Sequence, residues 1–345
     1  MLPKILAPLL AVSFAALSAA KPQDAISTIY QFPHGSWLEN LETGPANSIL
    51  TTRIDTPTLY QTTTPRAGHS SPCHPSDSTP ASAKLIQTFP GATGALGIVE
   101  YKSNHFAVVA GNYSLTTHES ARGSYALWDV WFSGARLDRV SAKKIADITE
   151  AGFLNGLTVL NKNQDTATLL VGDSWDGVVY SVNPETGDYE VVLDDETLKP
   201  EEGQNLGVNG IHPVVIGDET FLYYTNSLKE TVSRVQIEPI TGRAIGPYTT
   251  VATGVWGDDF TYDASTGDLY VAGNFENVVT KVNRAGHVEA VFGAETELTV
   301  AGATSTLVQG EGREKTLYVA TGGALAAPVN GTITEGAKIV AIKLE

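Results

Sequence analysis

The sequence predicts an all-β fold, a six-bladed β-propeller, on three observations. Strand-like phrases recur along the chain, each is followed by further short strands and a turn, and no long helical periodicity interrupts them. The recurring phrases start at Ser48 (SILTTRI), His105 (HFAVVAG), Thr168 (TLLVGDS), Phe221 (FLYYTNS), Asp268 (DLYVAGN) and Thr316 (TLYVATG). Their starts are 57, 63, 53, 47 and 48 residues apart. Periods near 50 with several short strands per unit are the signature of propeller blades.

The third unit shows the plan most clearly, as TATLLVGDSWDGVVYSVNPETGDYEVVLD. An apolar strand ends at Gly172-Asp173, VVYSV follows, and Pro184 and Gly187 punctuate the turn. Tyr189, Val191 and Leu193 then alternate with polar residues. The fifth unit repeats this with a turn at Arg284-Ala285-Gly286. Small sheets of this kind bury their faces against neighbours, and closing the ring removes exposed ends. The early segment STIYQFP is expected to pair with AKIVAIKL, residues 337–344, and so fasten the ring without a disulfide. The Thr, Ser and Pro-rich stretch from Thr62 to Ala83 reads as a long loop of the first blade. Residues 110–132 contain a second insertion.

Of the 345 residues, 42% are hydrophobic, enough for a sizeable core, and residues 21–345 read as one propeller domain. The net charge of −16 and the lack of a basic block argue against nucleic acid or an anionic membrane surface as partner. Residues 1–20, with Lys4 ahead of an apolar run ending in LSAA, read as a signal peptide. No later run reaches the roughly 18 apolar residues of a transmembrane span. The expected location is therefore the secretory lumen or the exterior. Asn112 and Asn330 open glycosylation sequons on that route. The single cysteine, Cys73, excludes an intrachain disulfide, and its spacing to His69 and His74 lacks the pattern of a structural zinc site.

A propeller brings the ends of its innermost strands together around a central channel. Glu39 in WLENLE is placed ahead of the first blade's inner strand, Asn155 in GFLNGLTVL and Asn209 in LGVNGIHPVVI ahead of the third and fourth, and the pair Asp258-Asp259 in WGDDFTYD at the corresponding place in the fifth. Adjacent carboxylates before an apolar strand form either a turn or a cation or polar-substrate site, since burying both without a partner is costly.

These phrases resemble the gluconolactonase and regucalcin-like six-bladed propellers. That resemblance implies that an early glutamate, two asparagines and a late aspartate converge on a divalent cation: Glu39, Asn155, Asn209 and Asp258, the last preferred to Asp259 because it comes first. Two carboxylates and two amide oxygens suit calcium better than zinc. The segments WLENLE, LNGLTVL, GVNGIH, YYTNS and DDFTYD are also similar to a secreted fungal subgroup whose members resemble hetero-Diels–Alderases. For these the resemblance implies joining of a quinone methide to a terpene alkene, which requires no cofactor. Such a site needs two partners held in orientation, with aromatic walls and a few donors. Trp37, Trp128 and Trp175 are the candidate packing residues, with Trp131 and Phe132 nearby, and Tyr113 and His212 are candidate polarising donors. Two further readings stay open. One is a calcium-dependent lactone hydrolase, since no GxSxG nucleophile motif is present. The other is a noncatalytic propeller that binds hydrophobic small molecules.

Overall fold

The computed structural model describes residues 25–64 and 81–344. The leader-like segment 1–20 and the Cys73, His69 and His74 cluster lie outside the described residues. The chain forms six four-stranded antiparallel sheets, as the sequence predicts.

Strand β1 (Ile26–His34) precedes the first blade, which consists of β2 (Leu38–Thr43), β3 (Ile49–Arg53), β4 (Thr58–Thr62) and β5 (Ala83–Thr88). Blade 2 uses β6 (Gly94–Lys102) and β7 (His105–Gly111), then β10 (Ala126–Ser133) and β11 (Arg139–Asp147). Between its second and third strands lies a small hairpin of β8 (Tyr113–Ser114) and β9 (Glu119–Ser120). Blade 3 runs from β12 (Leu154–Leu160) through β13 (Thr168–Asp173) and β14 (Val178–Val182) to β15 (Tyr189–Asp194). In blade 4 the strands are β16 (Val208–Ile216), β17 (Glu219–Asn226), β18 (Thr231–Ile237) and β19 (Ala244–Thr253). Blade 5 holds β20 (Phe260–Asp263), β21 (Asp268–Gly273), β22 (Val278–Val282) and β23 (Val288–Gly293). The sixth blade is β24 (Ala303–Gln309), β25 (Thr316–Thr321) and β26 (Gly336–Lys343), completed by β1.

The first strand thus closes the ring noncovalently. β1 pairs antiparallel with β26, Ile26 opposite Ile342 and His34 opposite Gly336. Lys338 adds a buried clasp, its Nζ donating to the Leu298 carbonyl at 2.6 Å and pairing with Glu335 at 2.7 Å.

Six innermost strands line the axis: β2, β6, β12, β16, β20 and β24 each touch the next, and β24 returns to β2. Burial follows position in the blade. β12 is buried at all but one of its residues, whereas the outermost β11 and β15 are mostly exposed or half-buried. Between blades 3 and 4 the core packs Leu160, Leu170, Val179, Val208, Ile211 and Tyr224 from both sheets. Each such aliphatic side chain contributes about 1.5–3 kcal/mol of hydrophobic stabilisation. The recurring phrases of the sequence are the second strands of the blades; the phrases before them are the axial strands.

This explains the repeated Asn-Gly. A Cβ on Gly156 would meet the Asn209 backbone oxygen at 2.2 Å, and one on Gly210 would meet Asp259 Oδ1 at 2.3 Å. The glycines let neighbouring axial strands approach, a packing role rather than the turn role usual for Asn-Gly.

Candidate functional site

A cavity of about 240 Å³ opens at one end of the axis. Glu39, Asn155, Asn209 and Asp258 all border it, each at most 6% exposed. Glu39 sits within β2 rather than ahead of it, Asn155 and Asn209 within β12 and β16, and Asp258 in the short segment before β20. Four residues spread over four blades therefore share one small volume.

The adjacent aspartates part company. Asp258 turns to the cavity and accepts from Asn274 Nδ2 at 3.1 Å. Asp259 turns the other way, accepting from Asn40 Nδ2 at 2.7 Å and from its neighbour's amide, Phe260 N, at 2.8 Å, with His212 Nε2 at 3.4 Å from its Oδ1. One carboxylate faces the pocket and the other anchors the ring.

The electrostatics of the pocket floor are those of carboxylates short of positive charge. Burial, with Asp258 and Asp259 nearby, holds the Glu39 carboxyl well above its usual range. Burial also pushes Asp258 up to about 7, with Asp259 adding to the shift, while hydrogen bonds from Asn274 and Asn209 oppose it. The Tyr113 phenol is pushed up to about 12, first by burial and then by the negative charge of Glu39 and Asp258. Among the described residues, neither lysine nor arginine borders the cavity.

Among the described residues, three buried polar atoms of the cavity find no hydrogen-bond partner: Asn209 Oδ1, Asn274 Oδ1 and Trp37 Nε1. Asn209 is held by its Nδ2, which donates to Ser227 Oγ at 3.0 Å, leaving the amide oxygen free. The Trp37 indole lies near enough to the Glu39 carboxylate to pull its pKa down, but not in full hydrogen-bonding geometry. Buried polar atoms of this kind are rarely left unmatched, and their clustering marks a ligand position. The donor chemistry, two carboxylates with amide oxygens, fits a hard cation such as calcium. Among the described residues, no group of three or more His, Cys, Asp or Glu side chains forms a metal-holding set, so such a cation would rely on the amides.

Above this floor the walls are apolar. Tyr113 stacks on Phe153 with ring centroids 4.9 Å apart, and Trp256 packs on Phe275 at 4.6 Å. Trp37, Trp175, Leu115 and Leu206 add to the wall. The hairpin of β8 and β9 delivers Tyr113, His118 and Ser120 to the rim. Arg122, which follows it, ties blade 2 to blade 3 through Asp176 and lies 5.7 Å from the Trp175 ring centroid.

Two sequence candidates fall outside the cavity. Trp128 is on β10, a ladder strand, with its ring 5.8 Å from Phe89 and Lys144 Nζ at 5.4 Å. Trp131 and Phe132 share that strand, Trp131 stacking on His105 and Phe132 packing edge-on against Phe106. His212 lies edge-on against Phe260 beside Asp259 and does not border the cavity. Of the sequons, Asn330 is exposed, while Asn112 is half-buried with its Oδ1 enclosed. Sequence reasoning missed Asn274, Phe153, Trp256 and Phe275. A signal for Asn274 exists in the repeated VAGN ending of β7 and β21, since blade-equivalent positions close the second strands.

No protein-family model matches the chain. By sequence it is similar to a protein described as "Putative hetero-Diels-Alderase" from a Phoma species, with 23% identity over 328 residues and 87% of each chain covered. Among solved structures it is similar to a luciferin-regenerating enzyme, with TM-score 0.61 and 12% identity over 92% of this chain and 95% of that one. It also matches a calcium-binding protein, regucalcin, from Agrobacterium tumefaciens, with TM-score 0.57, 13% identity and coverage of 92% and 94%. A gluconolactonase from Xanthomonas campestris matches with TM-score 0.56, 11% identity and coverage of 93% and 89%. These structural likenesses establish the shared propeller fold. No helix among the described residues is long and apolar enough to cross a membrane.

Proposed function

We propose that the protein is a calcium-dependent hydrolase of small, uncharged lactones with an apolar body. The observation that carries this reading is the convergence of Glu39, Asn155, Asn209 and Asp258 on one cavity in which Asn209 Oδ1 lacks a partner. Those four residues would hold the cation. A calcium ion held there would supply Lewis-acid polarisation of the lactone carbonyl. The aromatic walls seat the hydrocarbon part of the substrate and exclude bulk water, which strengthens every charge interaction inside. Tyr113, kept neutral by its surroundings, donates a hydrogen bond to a substrate oxygen. The unpartnered Trp37 indole offers a second donor. A carboxylate of the floor takes a proton from the attacking water, the acyl–oxygen bond of the ring opens, and the departing alkoxide recovers a proton. Water is thereby added across one bond, giving a hydroxy acid. The regucalcin described as calcium-binding and the gluconolactonase sharing the fold support this reading. So does the cavity lining, which among the described residues includes no lysine or arginine and so disfavours an anionic substrate.

A second reading rests on a different observation. The walls are aromatic enough to align two apolar reactants, and the Phoma relative is described as a "Putative hetero-Diels-Alderase". In that case the pocket would orient a quinone methide against a terpene alkene without a cofactor, and Tyr113 would polarise the enone oxygen. We also infer from the leader-like first twenty residues that the protein enters the secretory route, with Asn330 the more accessible sequon.

The test is a lactone panel run with added calcium and with chelator, reading acid release. Turnover of aliphatic or aryl lactones that is lost on chelation and in Asp258→Asn supports hydrolysis. No turnover of any lactone, together with a rate or stereochemical change for a quinone-methide and terpene pair, would replace it with cycloaddition.

A further inference from the structure

A second cavity, of about 630 Å³, lies between blades 4 and 5, lined from the axial strands β16 and β20 outward to β19 and the turn between β22 and β23. Its lining contains Arg234 on β18 and Arg284 in the turn between β22 and β23 and, among the described residues, no aspartate or glutamate. That is unexpected in a chain with 38 acidic and 22 basic residues. Among the described residues, the arginines that pair with carboxylates are Arg53, Arg122 and Arg243; Arg234 and Arg284 are not among them.

Arg234 is nevertheless held in place. Its guanidinium carbon sits 4.8 Å from the Phe221 ring centroid and 5.7 Å from that of Tyr223, and Nη1 donates to Tyr223 Oη at 2.8 Å. One edge of the fork is thus used for positioning, and the remaining N–H groups are left for a ligand. Arg284 lies across Gly267, where any side chain would collide with it. Asn283 Oδ1 accepts from the Ala285 and His287 amides, which leaves its Nδ2 as a donor. Thr249 and Thr250 add exposed hydroxyls. The charged groups of this lining are all cationic, and its amide is turned to donate.

The other part of the wall is flat and apolar. Tyr223 and Tyr262 stack across the blade boundary at 6.4 Å and 28°. Leu269 and the exposed Val215 and Ile216 extend the surface. Tyr223 and Leu269 are buried, so the part of this surface that a bare inorganic anion would leave in water is the exposed Val215 and Ile216 beside Tyr262. A planar organic anion would cover it and place its charge on the arginines.

We propose that the cleft between blades 4 and 5 is a second ligand site, for a planar organic anion of the aryl-carboxylate class, held by Arg234 and Arg284. The inference is independent of the chemistry at the axial pocket. It is tested by calorimetric titration of the full chain with 2-naphthoate, with 2-naphthamide as the uncharged isostere and sulfate as the bare anion. Saturable 1:1 binding of naphthoate is expected, with the amide and sulfate each much weaker. Arg284→Gln, an exposed change, and Arg234→Gln should each weaken naphthoate by about tenfold or more, the scale of a lost charge-assisted hydrogen bond. Asp258→Asn should leave naphthoate affinity unchanged. Equal affinity for acid and amide, sulfate matching naphthoate, no saturable binding, or undiminished affinity in a folded Arg284→Gln protein would each overturn the proposal.

Discussion

Replacing Asp258 by asparagine should make the calcium-free protein more stable at pH 8 while removing the proposed cation site. The carboxyl is 5% exposed and is pushed from 3.8 to about 7, chiefly by burial. A shift of about three pH units, at 1.36 kcal/mol each, corresponds to roughly 4 kcal/mol of destabilisation once the group is ionised. Because the side chain borders an open cavity, roughly 2 kcal/mol is the realistic gain from removing its charge. The amide keeps an oxygen for Asn274 Nδ2, so the local hydrogen bond survives. In a chain of this size roughly 2 kcal/mol raises the thermal midpoint by about 3 °C. The assay is a melting curve in chelator at pH 8 and pH 4.5, for both proteins. The variant should melt higher at pH 8, and the gap should shrink at pH 4.5, where the wild-type carboxyl is protonated. Saturating calcium should reverse the order by stabilising only the wild type, by about 2.7 kcal/mol at a hundredfold excess over Kd. A variant that melts lower at pH 8 in chelator, or a gap independent of pH, would refute the electrostatic reasoning.

The same carboxyls give the chelated wild type a characteristic pH dependence. Glu39 and Asp258 are both raised, so their contribution is intact below about pH 4 and is lost as pH rises through about 7 for Asp258. Melting scans from pH 4 to 8 should show this decline, superimposed on the titration of other groups, and Asp258→Asn should flatten it. Asn209→Ala should lose calcium binding by calorimetry while costing about 1 kcal/mol of stability, the Ser227 hydrogen bond. Asn40→Ala strips Asp259 of a buried donor at 2.7 Å and should cost about 2–4 kcal/mol in denaturant unfolding, with no direct change at the cation site. Gly156→Ala drives a Cβ into the Asn209 backbone at 2.2 Å; unfolding midpoints should drop by at least about 2 kcal/mol in stability, and an unchanged midpoint would show that the axial strands are not close-packed.

The architecture was readable from local patterns along the chain. The period of the second strands is local information, because each consists of alternating or fully apolar residues bounded by turn chemistry, and six such units leave ring closure as the way to cover every sheet face. The pairing of β1 with β26 was legible for the same reason: an isolated early strand must find an edge. The convergence of Glu39, Asn155, Asn209 and Asp258 was also legible, because blade-equivalent positions meet at the axis whatever the details of packing.

Only the tertiary structure decided which way each side chain faces. Adjacent Asp258 and Asp259 point to opposite sides of one short segment, and it is the Asn40 and Asn274 amides, 219 and 16 residues away from their partners, that separate them. Trp128 and His212 carry suitable chemistry, but Trp128 sits on the third strand of its blade, away from the axis, and His212 follows a register shift in β16 and packs on Phe260 beside Asp259. The aromatic wall from Phe153, Trp256 and Phe275, and the unpaired arginines between blades 4 and 5, arise from contacts between sheets. Composition and periodicity specify a strand's place in a blade. Which groups face one another across a blade boundary depends on the twist and register of sheets far apart in the chain, so it emerges only when the ring closes.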